Sequence, residues 1–129
     1  MKRLSLLLAL AVATCAAPAI AQTPVSVQPV SSPAISGGWV AASTRTDAYR
    51  LGASSSSTAG WFMVFDATTV PADGPVVPKF CRAAAAGASV SLVFVNPAAF
   101  RNGIVLVFST TGCYVKTSSP TAFFEASFK

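Results

Sequence analysis

The sequence predicts a small all-β protein, an antiparallel β-sandwich of seven or eight short strands. Short apolar runs rich in β-branched and aromatic residues recur along the chain, most clearly at residues 104–108, Ile-Val-Leu-Val-Phe. Gly, Pro, Asn, Asp and Ser separate these runs at intervals of about ten residues. No segment carries a sustained helical period. The pattern does not distinguish a jelly-roll order of strands from an immunoglobulin-like order.

The first 21 residues are predicted to be a secretory signal peptide. The basic pair Lys2-Arg3 precedes a short apolar run, and the small-x-small sequence Ala19-Ile20-Ala21 supplies a cleavage site before Gln22. A membrane-spanning helix needs about 20 continuous apolar residues, and Pro18 interrupts this run too early. We therefore expect an exported protein, periplasmic or extracellular, whose mature chain has no transmembrane segment.

The mature chain divides into an extended arm, residues 22–36, and one β-sandwich domain, residues 37–129. Three prolines in the arm remove backbone donors and favour extended backbone over a strand ladder. Its alternating valines leave room for an edge strand that orders only against a partner. Gly37-Gly38 marks the start of the domain, which is long enough for one hydrophobic core and too short for two.

The first half of the domain is predicted to contain three strands. Residues 39–44 and 47–51 are moderately apolar, and residues 61–65, Trp-Phe-Met-Val-Phe, form a continuous apolar run that stops at Asp66. The serine-rich residues 53–60 are expected to form a flexible loop, with a serine-rich strand as the alternative.

Strands in the second half are predicted at residues 76–81, 88–95, 104–108, 114–117 and 122–128. The dipeptide Asp73-Gly74 predicts a turn before the first of them, and Pro78 places that strand at a sheet edge. Residues 82–87 contain four consecutive alanines, too few for a stable helix, and are expected to form a loop or a single turn. Asn96-Pro97 is expected to end the strand at residues 88–95.

Cleavage after residue 21 removes Cys15 and leaves Cys81 and Cys113. In an oxidising compartment these two are expected to form a disulfide, although free thiols or an intermolecular bridge would fit the same spacing. Cys15 loosely resembles a lipoprotein attachment site. Thr14, however, is larger than the residue that usually precedes such a cysteine.

Charge and residue types argue against nucleic-acid binding and against catalysis. Charged residues make up 10% of the chain, well below the roughly 25% typical of soluble domains. The basic residues are scattered and do not form a stripe that could follow a phosphate backbone. The chain has no histidine and only four acidic residues, Asp47, Asp66, Asp73 and Glu125. Asp66 and Asp73 are close in sequence but both have structural uses, so we expect no enzyme activity, no metal and no cofactor.

Two surfaces are candidates for function. The runs at residues 61–65 and 104–108 do not alternate, so they bury more than one sheet face unless loops cover them, which suggests oligomerisation or docking. Five aromatic residues could instead line a sugar-stacking face: Trp39, Tyr49, Trp61, Phe62 and Tyr114. All of them except Phe62 make up the predicted interaction surface. Aromatic residues at strand positions are more often part of the core.

The chain from Gly60 onward resembles small β-sandwich proteins encoded among bacteriophage and prophage virion genes. The likeness rests on Trp61 to Ala67, Val70 to Val76, Phe100 to Ile104 and Phe108 to Tyr114. It implies a structural or attachment role in a particle, as a repeated subunit, and it carries no catalytic residue. Virion components do not normally carry a signal peptide, which indicates a secreted relative with another use.

Together these observations predict a secreted, non-enzymatic protein that acts by self-association or by docking on another surface or particle protein. The alternative is a monomeric module that binds a carbohydrate or another ligand through exposed aromatic side chains.

Overall fold

The computed structural model describes residues 26–55 and 57–129, so the predicted signal peptide, residues 1–21, lies outside the described part of the chain. The described residues form strands and contain no helix. In chain order the strands are β1 (Gln28–Ser31), β2 (Gly38–Ala42), β3 (Thr46–Ser55), β4 (Gly60–Asp66), β5 (Gly74–Pro75), β6 (Phe80–Ala84), β7 (Ser89–Phe100), β8 (Ile104–Ser109), β9 (Val115–Lys116) and β10 (Ala122–Phe128). The predicted all-β class is confirmed, with two more strands than the upper expectation because β1 and the short β5 are added.

Eight of these strands form two antiparallel sheets that pack face to face. Sheet 1 has the order β1-β10-β3-β7 and sheet 2 has the order β2-β8-β4-β6, while β5 pairs only with β9. Among the eight, the first strand pairs with the eighth, the second with the seventh, the third with the sixth and the fourth with the fifth. This nested pairing, wrapped into two sheets, is the jelly-roll topology.

The main core lies between the two sheets. Phe62 from sheet 2 and Phe124 from sheet 1 are fully buried, and their ring centroids are 6.5 Å apart. Phe100 and Phe108 are fully buried in the same layer. Burying a side chain of this kind contributes about 1.5–3 kcal/mol relative to leaving it exposed. The inter-sheet layer is therefore the main hydrophobic contribution to folding.

The strand predicted at residues 104–108 is β8, and every residue of β8 is buried. Leu106 and its alternate neighbours pack in the main core, whereas Val105 and Val107 face the opposite side of sheet 2 and pack with Met63. Ala67 and Val76 of residues 67–79 pack on that outer side, and the β5–β9 ladder joins residues 110–118 to this segment. We call the two segments together the flap. β4 and β8 therefore lack alternation because they have a packed layer on each side.

Several element boundaries differ from the sequence prediction. β3 continues through Ser55, where a loop was expected, because residues 53–55 pair with β10 and residues 53–54 also pair with β7. β6 extends to Ala84, where a loop or single turn was expected, because Gly60 and Trp61 of β4 pair with Ala84 and Ala83. Conversely, residues 76–79 form no ladder with either sheet and belong to the flap.

β7 runs past Asn96-Pro97, which was expected to end it. Its register to β3 changes from Val93 opposite Arg50 to Ala98 opposite Ala48. Residues 94–97 therefore bulge out of the ladder, and the proline falls where no backbone donor is required. The strand resumes beyond the bulge and ends at Phe100.

The segment expected to be an arm contributes to the sandwich. β1 pairs along its length with β10, from Gln28 opposite Phe128 to Ser31 opposite Glu125. Pro29 is tolerated because β1 is the edge of sheet 1. The partner that orders this edge strand is therefore the final strand of the same chain.

Candidate functional site

The flap is attached to sheet 2 by backbone hydrogen bonds at several points. β5 and β9 form a two-residue ladder in which Gly74 lies opposite Lys116 and Pro75 opposite Val115. The Val76 amide donates to the Tyr114 carbonyl at 2.9 Å, and the Lys79 amide donates to the Val64 carbonyl of β4 at 2.8 Å. The two segments of the flap are thus joined to each other and to the sheet beneath.

A disulfide fixes the flap covalently to the edge strand of sheet 2. Cys81 of β6 and Cys113 of the flap are bonded within the chain, with Cα atoms 5.8 Å apart. The expected pairing is confirmed, and the alternatives of free thiols or an intermolecular bridge do not apply to this structure. Cys81 also packs against the outer apolar cluster around Met63.

A buried ammonium group holds the inner side of the flap. The Lys116 side chain is only 2% exposed, and its Nζ forms an ion pair with Asp73 Oδ1. The same Nζ lies 2.6 Å from Ser118 Oγ, and the Ser118 amide donates to the Asp73 carboxylate at 3.2 Å. Hydrogen bonds from Lys116 and then from Ser118 lower the pKa of Asp73 to about 2. Lys116 and Asp73 therefore neutralise each other, with the ammonium group buried and the carboxylate side chain 54% exposed.

The outer side of the flap exposes an apolar surface. Side chains that face away from sheet 2 include Val77 at 85% exposure, Tyr114 at 71% and Val115 at 44%. Pro75 is exposed beside Val115 because the two residues are directly opposed in the ladder. These four residues form what we call the flap patch. None is charged, and each is on a segment fixed by the disulfide or the ladder.

The four aromatic residues predicted to form an interaction surface do not share one. Trp39 of β2 packs against the main core. Tyr49 lies at the β3 bulge on sheet 1 and is half-buried. Trp61 of β4 is half-buried on the outer side of sheet 2, since it alternates with Met63. Only Tyr114 is strongly exposed, and it belongs to the flap patch.

The other members of the flap patch, Pro75, Val77 and Val115, were missed by the sequence analysis. They lie in short segments that look like ordinary edge strands, and the two-residue ladder that joins them has no local signature. One signal pointed to them indirectly. The non-alternating runs in β4 and β8 required either a partner or a covering layer, and the flap is that layer.

The two acidic residues that are close in sequence occupy different places. Asp66 accepts hydrogen bonds from the backbone amides of Arg101, at 3.0 Å, and Asn102, at 2.8 Å, and its carboxylate lies 3.6 Å from Lys79 Nζ. Burial raises the pKa of Asp66, but these amides and the Lys79 charge outweigh that effect and lower it overall. Asp73, by contrast, is engaged within the flap, so the pair does not face a common cleft.

No group of three or more His, Cys, Asp or Glu side chains in residues 26–55 and 57–129 could hold a metal ion. Within the same ranges, no helix is long and apolar enough to cross a membrane.

The two sheets thus form a jelly-roll domain. The flap lies on sheet 2, is held by the disulfide and the β5–β9 ladder, and exposes the flap patch. Comparison with protein-family models, curated proteins and solved structures finds no match to the chain. The resemblance to phage and prophage β-sandwich proteins is not tested by these comparisons and stays a prediction.

Proposed function

We propose that this protein is an exported, non-enzymatic structural protein that self-associates through the flap patch. The observation that carries the proposal is the exposure of Val77, Tyr114 and Val115 on a cross-linked layer. Exposed apolar groups on a rigid surface bind partners at little cost in conformational entropy. The Lys116 ammonium is buried beneath the patch and paired with Asp73, so it contributes no unpaired charge to the contact.

A second copy of the chain is the partner that the patch fits best. An isologous contact places the same patch on both subunits, so the patch must be complementary to itself. An uncharged patch meets that condition, because no like charges are brought together when two copies meet. A different surface or particle protein would need only an apolar counterpart, and it is the alternative outcome of the experiment below.

The topology and the disulfide support the same proposal. Jelly-roll domains serve as repeated subunits in particles and also as lectins, so the fold is compatible with a structural role without establishing one. A disulfide between Cys81 and Cys113 suits an oxidising compartment, periplasmic or extracellular. We propose a repeated subunit at a surface or in a virion-like particle.

The test is the solution mass of the exported protein by light scattering across a concentration series. The Val77→Ser/Tyr114→Ser variant is expected to be monomeric where the wild type is a defined oligomer. Val93→Ser/Phe123→Ser is the matched control, because these exposed apolar side chains lie on sheet 1, at 71% and 40% exposure. A monomeric wild type at all concentrations would refute self-association. Equal dissociation of the control variant would refute the assigned surface.

A further inference from the structure

A shallow groove of about 410 Å³ lies at one end of sheet 2, at the edge of the flap. Trp61 forms part of its lining, together with Gly60, Ala83, Ala85 and Thr110. The groove shares no residue with the flap patch.

Trp61 is placed differently from the other tryptophan. Trp39 packs against the main core, whereas Trp61 belongs to neither apolar cluster and remains partly exposed. The residue opposite Trp61 on β6 is Ala83, which is exposed and too small to cover an indole ring. Part of the Trp61 indole on the outer side of sheet 2 is thus exposed to solvent.

Gly60 shapes the groove next to this indole. A Cβ atom at residue 60 would lie 2.4 Å from the Ser109 carbonyl oxygen and 2.7 Å from the Phe108 ring. Any larger residue would force β4 away from β8, so the close approach of the strands requires glycine. This Cβ would point towards the main core, on the face of sheet 2 opposite to Trp61, so Gly60 sets the strand spacing and Ala83 is the small residue beside the indole.

The end of the sandwich that carries the groove has no charged side chain in its connecting segments. Residues 57–59, 85–88, 110–112 and 118–121 contain only Ser, Thr, Ala, Gly and Pro. Arg45 and Arg101, by contrast, lie at the opposite end, beside the paired residues Thr46 and Phe100. A charged ligand would find no counter-charge in the groove.

Polar groups suited to a neutral ligand are nonetheless present. The Thr110 hydroxyl makes no hydrogen bond within the described residues, although its amide donates to the Thr117 carbonyl. β6 is the edge strand of sheet 2, so alternate backbone groups along it have no partner in that sheet. The groove thus combines an aromatic face with neutral hydrogen-bonding groups.

We propose that this groove binds a pyranose ring of a neutral oligosaccharide. The apolar C–H face of the sugar stacks on the Trp61 indole, and sugar hydroxyls bond to Thr110 and to the free backbone groups of β6. The sequence-based alternative of a carbohydrate-binding module thereby gains a specific location, at Trp61 alone among the four aromatic residues. This activity is independent of self-association through the flap patch.

The test uses the two indole N–H signals of the protein in a nitrogen–proton NMR spectrum, since the chain has two tryptophans. The full-length exported protein is titrated with cellotetraose, chitotetraose and maltotetraose, each to about 10 mM to detect millimolar dissociation constants. At least one of these neutral sugars is expected to shift the Trp61 signal while the Trp39 signal stays in place. A tetragalacturonate control, which is anionic, is expected to shift neither.

Variants separate the binding site from the fold and from self-association. Trp61→Ala is expected to abolish the sugar-induced shift of the Thr110 amide, and Trp61→Phe to weaken binding several-fold while retaining the fold. Val77→Ser/Tyr114→Ser is expected to bind like the wild type. A Trp61 signal that none of the three neutral sugars moves would overturn the proposal. Unchanged binding by a folded Trp61→Phe or Trp61→Ala variant would overturn it equally.

Discussion

At the scale of single residues, Asp66 organises the turn between β7 and β8. Its carboxylate accepts the amides of Arg101 and Asn102, and its backbone carbonyl accepts the Asn102 side chain at 3.3 Å. The turn ends at Gly103, where a Cβ would lie 2.4 Å from the Ala42 carbonyl oxygen. Asp66 and Gly103 thus fix the turn that leads into β8.

Replacing Asp66 is expected to destabilise the protein. Asp66→Ala should lower the free energy of unfolding by about 1–3 kcal/mol, because two turn amides lose a charged acceptor. Asp47→Ala is the matched control, since the Asp47 carboxylate has no hydrogen bond or ion pair in residues 26–55 and 57–129. Chemical denaturation measures both. Equal losses for the two variants would contradict the assigned role of Asp66.

The depressed pKa of Asp73 predicts how stability depends on pH. The folded-state pKa of about 2 lies below the ordinary value of 3.8, so the unfolded state binds more protons as the pH falls between these values. The contribution of Asp73 is therefore present above about pH 4 and is lost as the pH approaches 2. Asp73→Asn should be less stable than the wild type at pH 7, and the difference should narrow with acidification. Denaturation midpoints measured from pH 7 to pH 2 check this, and a constant difference would contradict it.

At the scale of elements, the long edge strand β7 is covered by side chains from β6 and from the flap. The Arg82 Nη1 atom donates to the Ser91 carbonyl at 2.8 Å, and Lys79 Nζ donates to the Ala99 carbonyl. Lys79 also lies over the Phe100 ring, 4.4 Å from its centroid. Bare strand edges invite pairing with other chains, and basic side chains together with a bulge are common means of preventing it.

Removal of the Arg82 side chain is therefore expected to increase the rate of aggregation while lowering the free energy of unfolding only slightly. Arg82→Ala should change the free energy of unfolding by about 0.5–1.5 kcal/mol, yet aggregate faster on mild heating because the Ser91 carbonyl is uncovered. Arg101→Ala removes the same charge without exposing β7. Light scattering during a temperature hold compares the two, and identical time courses would show that charge alone matters.

The comparison of sequence with structure is clearest for the central strands and for the flap. β8 was predictable because its five apolar residues and flanking turns are a local pattern. The disulfide was predictable because only Cys81 and Cys113 lie outside the predicted signal peptide. The ladder of Pro75 with Val115 was not, because it joins segments far apart in sequence through two residues each. The flap patch depends on that ladder. Tyr114 was the one member of the patch that the sequence analysis selected, because it is aromatic.

At the scale of the whole molecule, the protein has three layers and two apolar cores. Sheet 1 and sheet 2 enclose the larger core, and sheet 2 and the flap enclose the smaller one around Met63 and Val107. The smaller core is bounded by irregular chain, so its integrity depends on the cross-link between Cys81 and Cys113. The disulfide closes a segment with a sequence separation of 32 residues.

Loss of this cross-link is expected to weaken the whole domain. Cys81→Ala/Cys113→Ala should lower the free energy of unfolding by about 3–4 kcal/mol, from the greater chain entropy of the unfolded state. Hydrogen exchange of the Val76 amide, which bonds to Tyr114, should accelerate more than exchange in β10. A dithiol reductant should destabilise the wild type to the same extent and leave the double variant unchanged. A reductant effect on the double variant would contradict this account.

The nested pairing of strands determines when the two sheets can form during synthesis of the chain. Among the described strands, β1 pairs with β10 alone, the last strand of the sandwich, and β3 is completed only when β7 and β10 are both available. A ribosome therefore releases most of the sequence before either sheet can close. For a protein exported as we propose, this delay would leave the sandwich unformed while the chain passes through a translocation channel for unfolded chains.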